Sequence, residues 1–281
     1  MPYFGVTIFP TDEAIQPVEL ARAVEERGLD SLFVTEHTHI PASRKTPWPG
    51  GADLPREYWR THDPFVALAA AAAVTRRIRL GTGVCLVVER DPIQLAKEVA
   101  SLDLVSGGRF VFGIGAGWNR EEMENHGVDY RTRWKLVREK VLAMRAIWTQ
   151  EAPEFHGELV DFDPIWSWPK PVQPGGPKIL IGAQSKWVHP RVADYADGWM
   201  PIGLLGGIEA GISALRRACE LAGRDFGSLH NAVYGHSADE EKCRRTLALG
   251  FEEITFPLPS AGRDEVLPLL DRYAELARKL R

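Results

Sequence analysis

No stretch of this 281-residue chain reaches the uninterrupted apolar length that a membrane span requires. Met1 to Pro10 enters an apolar run with no charged leader and no small-residue cleavage site, so no signal peptide is expected and the cytoplasm is the expected compartment. Cysteine is scarce. Cys85, Cys219 and Cys243 are widely spaced and odd in number, which fits reduced thiols better than a disulfide framework or a zinc site. Basic excess is also missing: the formal net charge is −4, which argues against a general nucleic-acid or anionic-membrane binder and leaves a small molecule as the expected partner. Compositional bias and internal repeats are absent, and 44% hydrophobic with 26% charged residues describes an ordinary globular chain.

What the sequence does have is alternation. Short apolar runs at 3–9, 31–35, 78–84, 109–114, 178–181, 198–201, 229–235 and 252–256 read as strands, with 198–201 the weakest. Helical periodicity fills the gaps at 17–27, 133–149, 188–196, 209–222, 238–249 and 263–280. Two further helices start at Asp63-Pro64 and Asp91-Pro92, where a carboxylate can accept orphan N–H groups and proline lacks one of its own. The second of these ends at Ser106-Gly107-Gly108. Strands that are apolar on both sides and separated by helices must run parallel. Eight such units predict one α/β domain over 1–281, a (β/α)8 TIM barrel. An open doubly wound sheet is the alternative, but the segment after the first strand, PTDEAIQP, carries no glycine fingerprint. Two long insertions, 38–62 after strand 2 and 150–177 before strand 5, exceed what a linker needs. The first lies at the carboxyl-terminal mouth, where barrel enzymes keep their chemistry, and is a candidate lid.

Four strand ends carry chemistry-bearing residues. After strand 2, Thr35-Glu36-His37-Thr38-His39 places a carboxylate and two imidazoles at the mouth. Glu36 and His37 can equally form a satisfied hydrogen-bonded pair, and His37 with His39 can ligate a metal. A metal hydrolase needs further ligands after later strands, however, and PLPSAGR after strand 8 supplies none. After strand 4, Gly113, Gly115 and Gly117 permit close approach of a flat or phosphorylated ligand, or simply a tight turn. Trp118 occupies the third position of a dinucleotide fingerprint, so that motif is excluded. Strand 3 has spaced glycines at Gly81 and Gly83, consistent with a bulge. After strand 5, Gly182-Ala183-Gln184-Ser185 suits a phosphate, although Ser185 also reads as a helix cap. Arg131, Arg133, Lys135 and Arg138 read as the solvated face of a helix. Arg44 and Trp48, in the candidate lid, are expected to face a substrate.

The stretches TEHTHIPASR (35–44), DPFVALAAAAAVTRRIRLGTGV (63–84), DPIQLAKEVASLDLVSGGRFVFGIGAGWN (91–119), PKPVQ (169–173) and ADGWMP (196–201) resemble the luciferase-like monooxygenase superfamily. Within it they resemble the branch that uses the deazaflavin coenzyme F420. The resemblance spans most of the first 200 residues; the last 80 match only in pattern. It implies a barrel with the cofactor ring across its mouth, backed by a strand kinked at a non-prolyl cis peptide that falls at Gly83-Val84. It further implies that Glu36 and His37 lie beside the reactive ring. Gly115, Ala116, Gly117 and Asn119 would lie beneath that ring, and Gly182, Ala183, Gln184 and Ser185 would hold its phosphate. Homodimers are common in the resembled family, but no interface is legible here. One position departs: sugar-phosphate dehydrogenases of this kind carry a glutamate where this chain has Trp118, which puts a sugar-phosphate substrate in doubt. An indole cannot supply a proton at neutral pH, so the proton chemistry falls to His37. The expectation is hydride transfer between F420 and a small organic substrate. FMN in the same place implies a monooxygenase. A metal-dependent hydrolase and a non-catalytic ligand-binding barrel are the readings from other classes.

Overall fold

The computed structural model describes residues 1–51 and 53–281. The chain opens with β1 (Tyr3–Ile8), α1 (Pro17–Glu26) and β2 (Ser31–Val34), then α2 (Pro64–Val74), β3 (Arg79–Thr82) and β4 (Cys85–Leu86). It continues through α3 (Pro92–Ser106), β5 (Phe110–Gly115), α4 (Arg120–Asn125) and α5 (Arg133–Thr149). A small hairpin, β6 (Phe155–His156) with β7 (Asp161–Phe162), precedes β8 (Ile179–Ile181), α6 (Val188–Tyr195) and β9 (Gly198–Trp199). The last third comprises α7 (Ile208–Ala222), β10 (Ala232–Val233), α8 (Glu240–Ala248), β11 (Glu253–Pro257) and α9 (Arg263–Leu280).

All barrel strands pair in parallel in the order β10-β11-β1-β2-β3-β5-β8-β9, with β4 extending the third strand beside β5. The circuit nearly closes between β9 and β10. There His230 N–H donates to Asp197 O (2.8 Å), Tyr234 N–H to Pro201 O (2.9 Å) and Gly203 N–H to Tyr234 O (2.8 Å). The structure is therefore the (β/α)8 barrel that the alternation predicts, not an open sheet. Inside it a compact cluster of Phe33, Val111, Leu180, Met200 and Ala232 fills the lumen, with half-buried Val84 and Tyr234 as its upper layer. The larger core lies between strands and helices, as two-layer packing requires.

Local signals act where the sequence places them. Asp63 accepts from the N–H groups of Phe65 and Val66, and Asp91 from those of Ile93 and Gln94; such caps contribute about 1 kcal/mol each. Gly107, at φ 68°, ends α3 as foreseen. α2 is apolar on all sides, and its outer face leaves Val66 exposed beside Leu104 and Val105 of α3. The 150–177 insertion is tied down by Asp103, which is buried and accepts from the backbone of Val172 and Gln173 and from the Gln173 amide.

Three expectations need correction. The strands at 198–201 and 229–235 contract to β9 and β10, because Pro201 has no N–H for a ladder and Gly235 turns out of the strand at φ 62°. Arg131 lies before α5 rather than on it, its guanidinium bound back to Asp129. Finally, Arg120–Asn125, where the periodicity predicts no element, form the short helix α4. Among the described residues no helix is long and apolar enough to cross a membrane.

Candidate active site

At the carboxyl end of β2 the chain delivers Glu36 and His37 to the mouth in opposite environments. Glu36 is 2% exposed; one oxygen accepts the Leu86 N–H (2.7 Å) and the other the Arg90 Nε–H (2.8 Å). Arg90 also reaches Asp63 (2.6 Å) and Glu98 (3.0 Å) and lies over the Phe65 ring. Glu36 thus anchors the chain after the bulge to the wall. Both of its oxygens are committed and buried.

His37 is nearly buried but borders the lid. Its Nδ1 lies 2.8 Å from Glu122 Oε2, and Trp118 Nε1 donates to its Nε2 at 3.3 Å. Because the indole can only donate, Nε2 holds a lone pair and the proton sits on Nδ1, facing the carboxylate. This pattern assigns the tautomer. Tyr58, from a one-turn helix in the 38–62 segment, packs its ring 5.2 Å from that of His37, and Trp48 meets Tyr58 edge-on. Burial pushes the Tyr58 phenol up, so it remains a neutral hydroxyl. The lid is pinned to the segment after β1 by Arg60 on Asp12 (2.8 Å) and by the His62 N–H on Pro10 O (2.8 Å).

Glu122 is the residue the sequence reading missed. It comes from α4, whose N-cap Asn119 accepts the Glu122 N–H (3.2 Å). The signal was present: Asn119-x-x-Glu122 has the spacing of a capping box. Here the glutamate side chain turns to His37 instead of back to the cap.

The glycine positions converge on Val84. The Gly83–Val84 peptide is cis, at the place the resemblance implies, and the strand is interrupted there between β3 and β4. A Cβ on Gly115 would stand 2.7 Å from Val84 Cγ2, and one on Gly182 2.4 Å from Cγ1, so both strand ends must lack side chains for Val84 to fit between them. Ala116 is buried, and Gly117 turns at φ 73°. Ala183 O accepts from the Trp199 indole (2.7 Å), while Gln184 bridges Ile202 N–H and Gly206 O. Ser185 is exposed and does not cap α6, whose N-cap position is Trp187. Arg44 is exposed in the lid, at φ 47°. The structure therefore brings His37, Trp118, Trp48, Val84 and the two glycine strand ends to one mouth, and it leaves Glu36 in the wall and Arg44 in solvent. His39 turns to Thr38 and Asn125, away from His37, and among the described residues no group of three or more His, Cys, Asp or Glu is placed to hold a metal.

The luciferase-like monooxygenase profile matches residues 10–255, which contain every one of these strand ends. The chain belongs to the luciferase-like monooxygenase family. An uncharacterized protein of Mycobacterium tuberculosis is 41% identical over 280 residues, 97% of each chain. Another member similar to it is the F420-dependent glucose-6-phosphate dehydrogenase of Gordonia bronchialis, 29% identical over 77% of this chain and 62% of that one. Among solved structures, an F420-dependent secondary alcohol dehydrogenase in complex with an F420-acetone adduct superposes with a TM-score of 0.79 at 16% identity, covering 100% of this chain and 99% of that one. That structural likeness carries the luciferase-like barrel fold.

Proposed function

We propose that the protein is an F420-dependent oxidoreductase acting on a small organic molecule bound beneath the 38–62 lid. The observation that carries this reading is His37, held between Glu122 and Trp118 at the same barrel mouth as an apolar floor made by Val84 between Gly115 and Gly182. A planar ring would lie against the Val84 side chain, which the two glycines allow to sit between their strand ends. The Gly182-Ala183-Gln184-Ser185 turn, with Gln184 and Ser185 exposed, would hold its phosphate. When bound, the deazaflavin supplies the hydride chemistry.

The remaining work belongs to this chain. Trp118 must swing off Nε2 for a ligand to reach His37, after which Nε2 can take or return the substrate proton while Glu122 steadies the charge that develops on the imidazole. Tyr58 and Trp48 line the ligand side with aromatic surface, which favours an apolar organic molecule over a sugar phosphate. The similarity to an F420-dependent glucose-6-phosphate dehydrogenase supports the deazaflavin reading. FMN in the same place would make the enzyme a monooxygenase.

His37→Ala is expected to leave F420 affinity unchanged and to lower F420-linked turnover of small alcohols and carbonyl compounds by about 10²- to 10⁴-fold. Unchanged turnover would remove His37 from the mechanism.

A further inference from the structure

The two ends of the 38–62 lid meet at His37. The chain leaves the barrel directly after His37 and returns at Thr61, whose hydroxyl accepts the His37 N–H (3.4 Å) and donates to the His37 carbonyl oxygen (2.9 Å). The second of these has the length of an ordinary hydrogen bond. One side chain thus grips both backbone polar groups of the residue that carries the imidazole, and it closes the neck of the lid in doing so. Neither contact involves the ring, whose nitrogens face Glu122 and Trp118.

Thr61 is itself held from the opposite side. It forms an antiparallel bridge with Thr11, in the segment after β1, and the Arg60–Asp12 and His62–Pro10 contacts flank that bridge. Thr11 is buried; its hydroxyl lies 2.8 Å from that of Ser260, which donates to Phe9 O at 3.0 Å. The anchor therefore reaches the segments after both β1 and β11. Tyr58, three positions before Thr61, packs its ring against Phe9 (4.7 Å) as well as against His37 (5.2 Å). The outer lid rests elsewhere, on α4, through the Thr46 N–H on Glu121 (3.2 Å) and Asn125 on His39 (2.8 Å). Neck and outer lid thus have separate supports.

We propose that Thr61 is a positioning residue for His37: it fixes the His37 backbone while the outer lid moves to admit a ligand, so the imidazole keeps its place beside Glu122. Orientation of this kind matters to rate, because a misplacement of about 1 Å can cost about a hundredfold.

This role rests on His37 handling the reacting proton, and the test separates the two. Thr61→Val keeps the shape of the side chain and removes its hydroxyl. It should lower F420-linked kcat for small alcohols and carbonyl compounds by about tenfold or more, while F420 affinity changes by less than about threefold. Thr61→Ser should restore most of the rate, because the hydroxyl is what acts. In a His37→Ala background Thr61→Val should cost nothing further; a residue that merely supports the fold would lower the rate by the same factor in both backgrounds. In the protein alone, nitrogen-labelled histidine should show the His37 ring resonances displaced in Thr61→Val and native in Thr61→Ser. Those of His156, in the β6–β7 hairpin, should stay in place in both. Thr61→Ala is the second variant without a hydroxyl, in case valine perturbs the bridge to Thr11. An unchanged rate, equal losses in the two backgrounds, or unmoved His37 resonances would overturn the role of Thr61. A protein whose His37 resonances respond as described but which binds no F420 would overturn the oxidoreductase reading alone.

Discussion

Arg90→Ala is expected to destabilise the protein by about 3 to 5 kcal/mol, seen as a lower urea midpoint with little change in slope. Arg90 is the cation that makes a buried Glu36 tolerable, and it binds Asp63 and Glu98 as well. Removing it leaves Glu36 uncompensated at 2% exposure, with Glu89 and Glu122 nearby. The cation itself is weak evidence of net stability, since desolvating it cancels much of the attraction. The double change Glu36→Leu with Arg90→Met should therefore recover most of the loss. An Arg90→Ala stability within about 1 kcal/mol of native would show that the Glu36 carboxylate reaches water.

Acid is expected to remove about 3 kcal/mol of stability between pH 4.5 and pH 2, through one residue at the opposite end of the barrel. Glu253 begins β11 fully buried, with Arg79 of β3 at 2.8 Å and His230 at 3.0 Å. Burial alone would raise its carboxyl; the Arg79 charge and then His230 outweigh that and hold it at about 2, against an ordinary 4.5. A carboxyl depressed in the folded state contributes fully above its unfolded value and loses that contribution as pH falls through the folded one. The slope should therefore lie in that window. Arg79→Met should abolish it and lower stability at pH 7 by about 3 kcal/mol or more, the cost of a buried carboxylate without its cation. Denaturant titrations at a series of pH values measure both. A native protein whose stability is flat from pH 4.5 to 2 would contradict the assignment.

The barrel was legible because its information is periodic. Apolar runs alternate with helical stretches, and the Asp-Pro starts and Gly107 act within a few residues of where they stand. The strands that shrank, β9 and β10, are those interrupted by Pro201 and Gly235, where backbone chemistry overrode the apolar run. The candidate site was legible as positions and not as orientations. Glu36 and His37 are adjacent and equally promising on paper, yet one enters the wall and the other the mouth. That choice is made by Arg90, 54 positions from Glu36, and by Glu122, 85 positions from His37. No local pattern reports such pairings. Trp118 shows the same limit from another side: the sequence marks it only as a residue that cannot supply a proton, whereas in the structure its indole donates to His37 Nε2.

The central claim is that the floor at Val84 and the turn at Gly182–Ser185 hold a deazaflavin. Titration of the purified protein with F420 and with FMN in separate experiments, followed by absorbance and fluorescence, tests it most directly. The account predicts saturable binding of F420 in the micromolar range and weaker binding of FMN. Failure of both to bind below about the upper micromolar range would contradict the redox reading, and preferential binding of FMN would replace the proposed hydride transfer with monooxygenase chemistry.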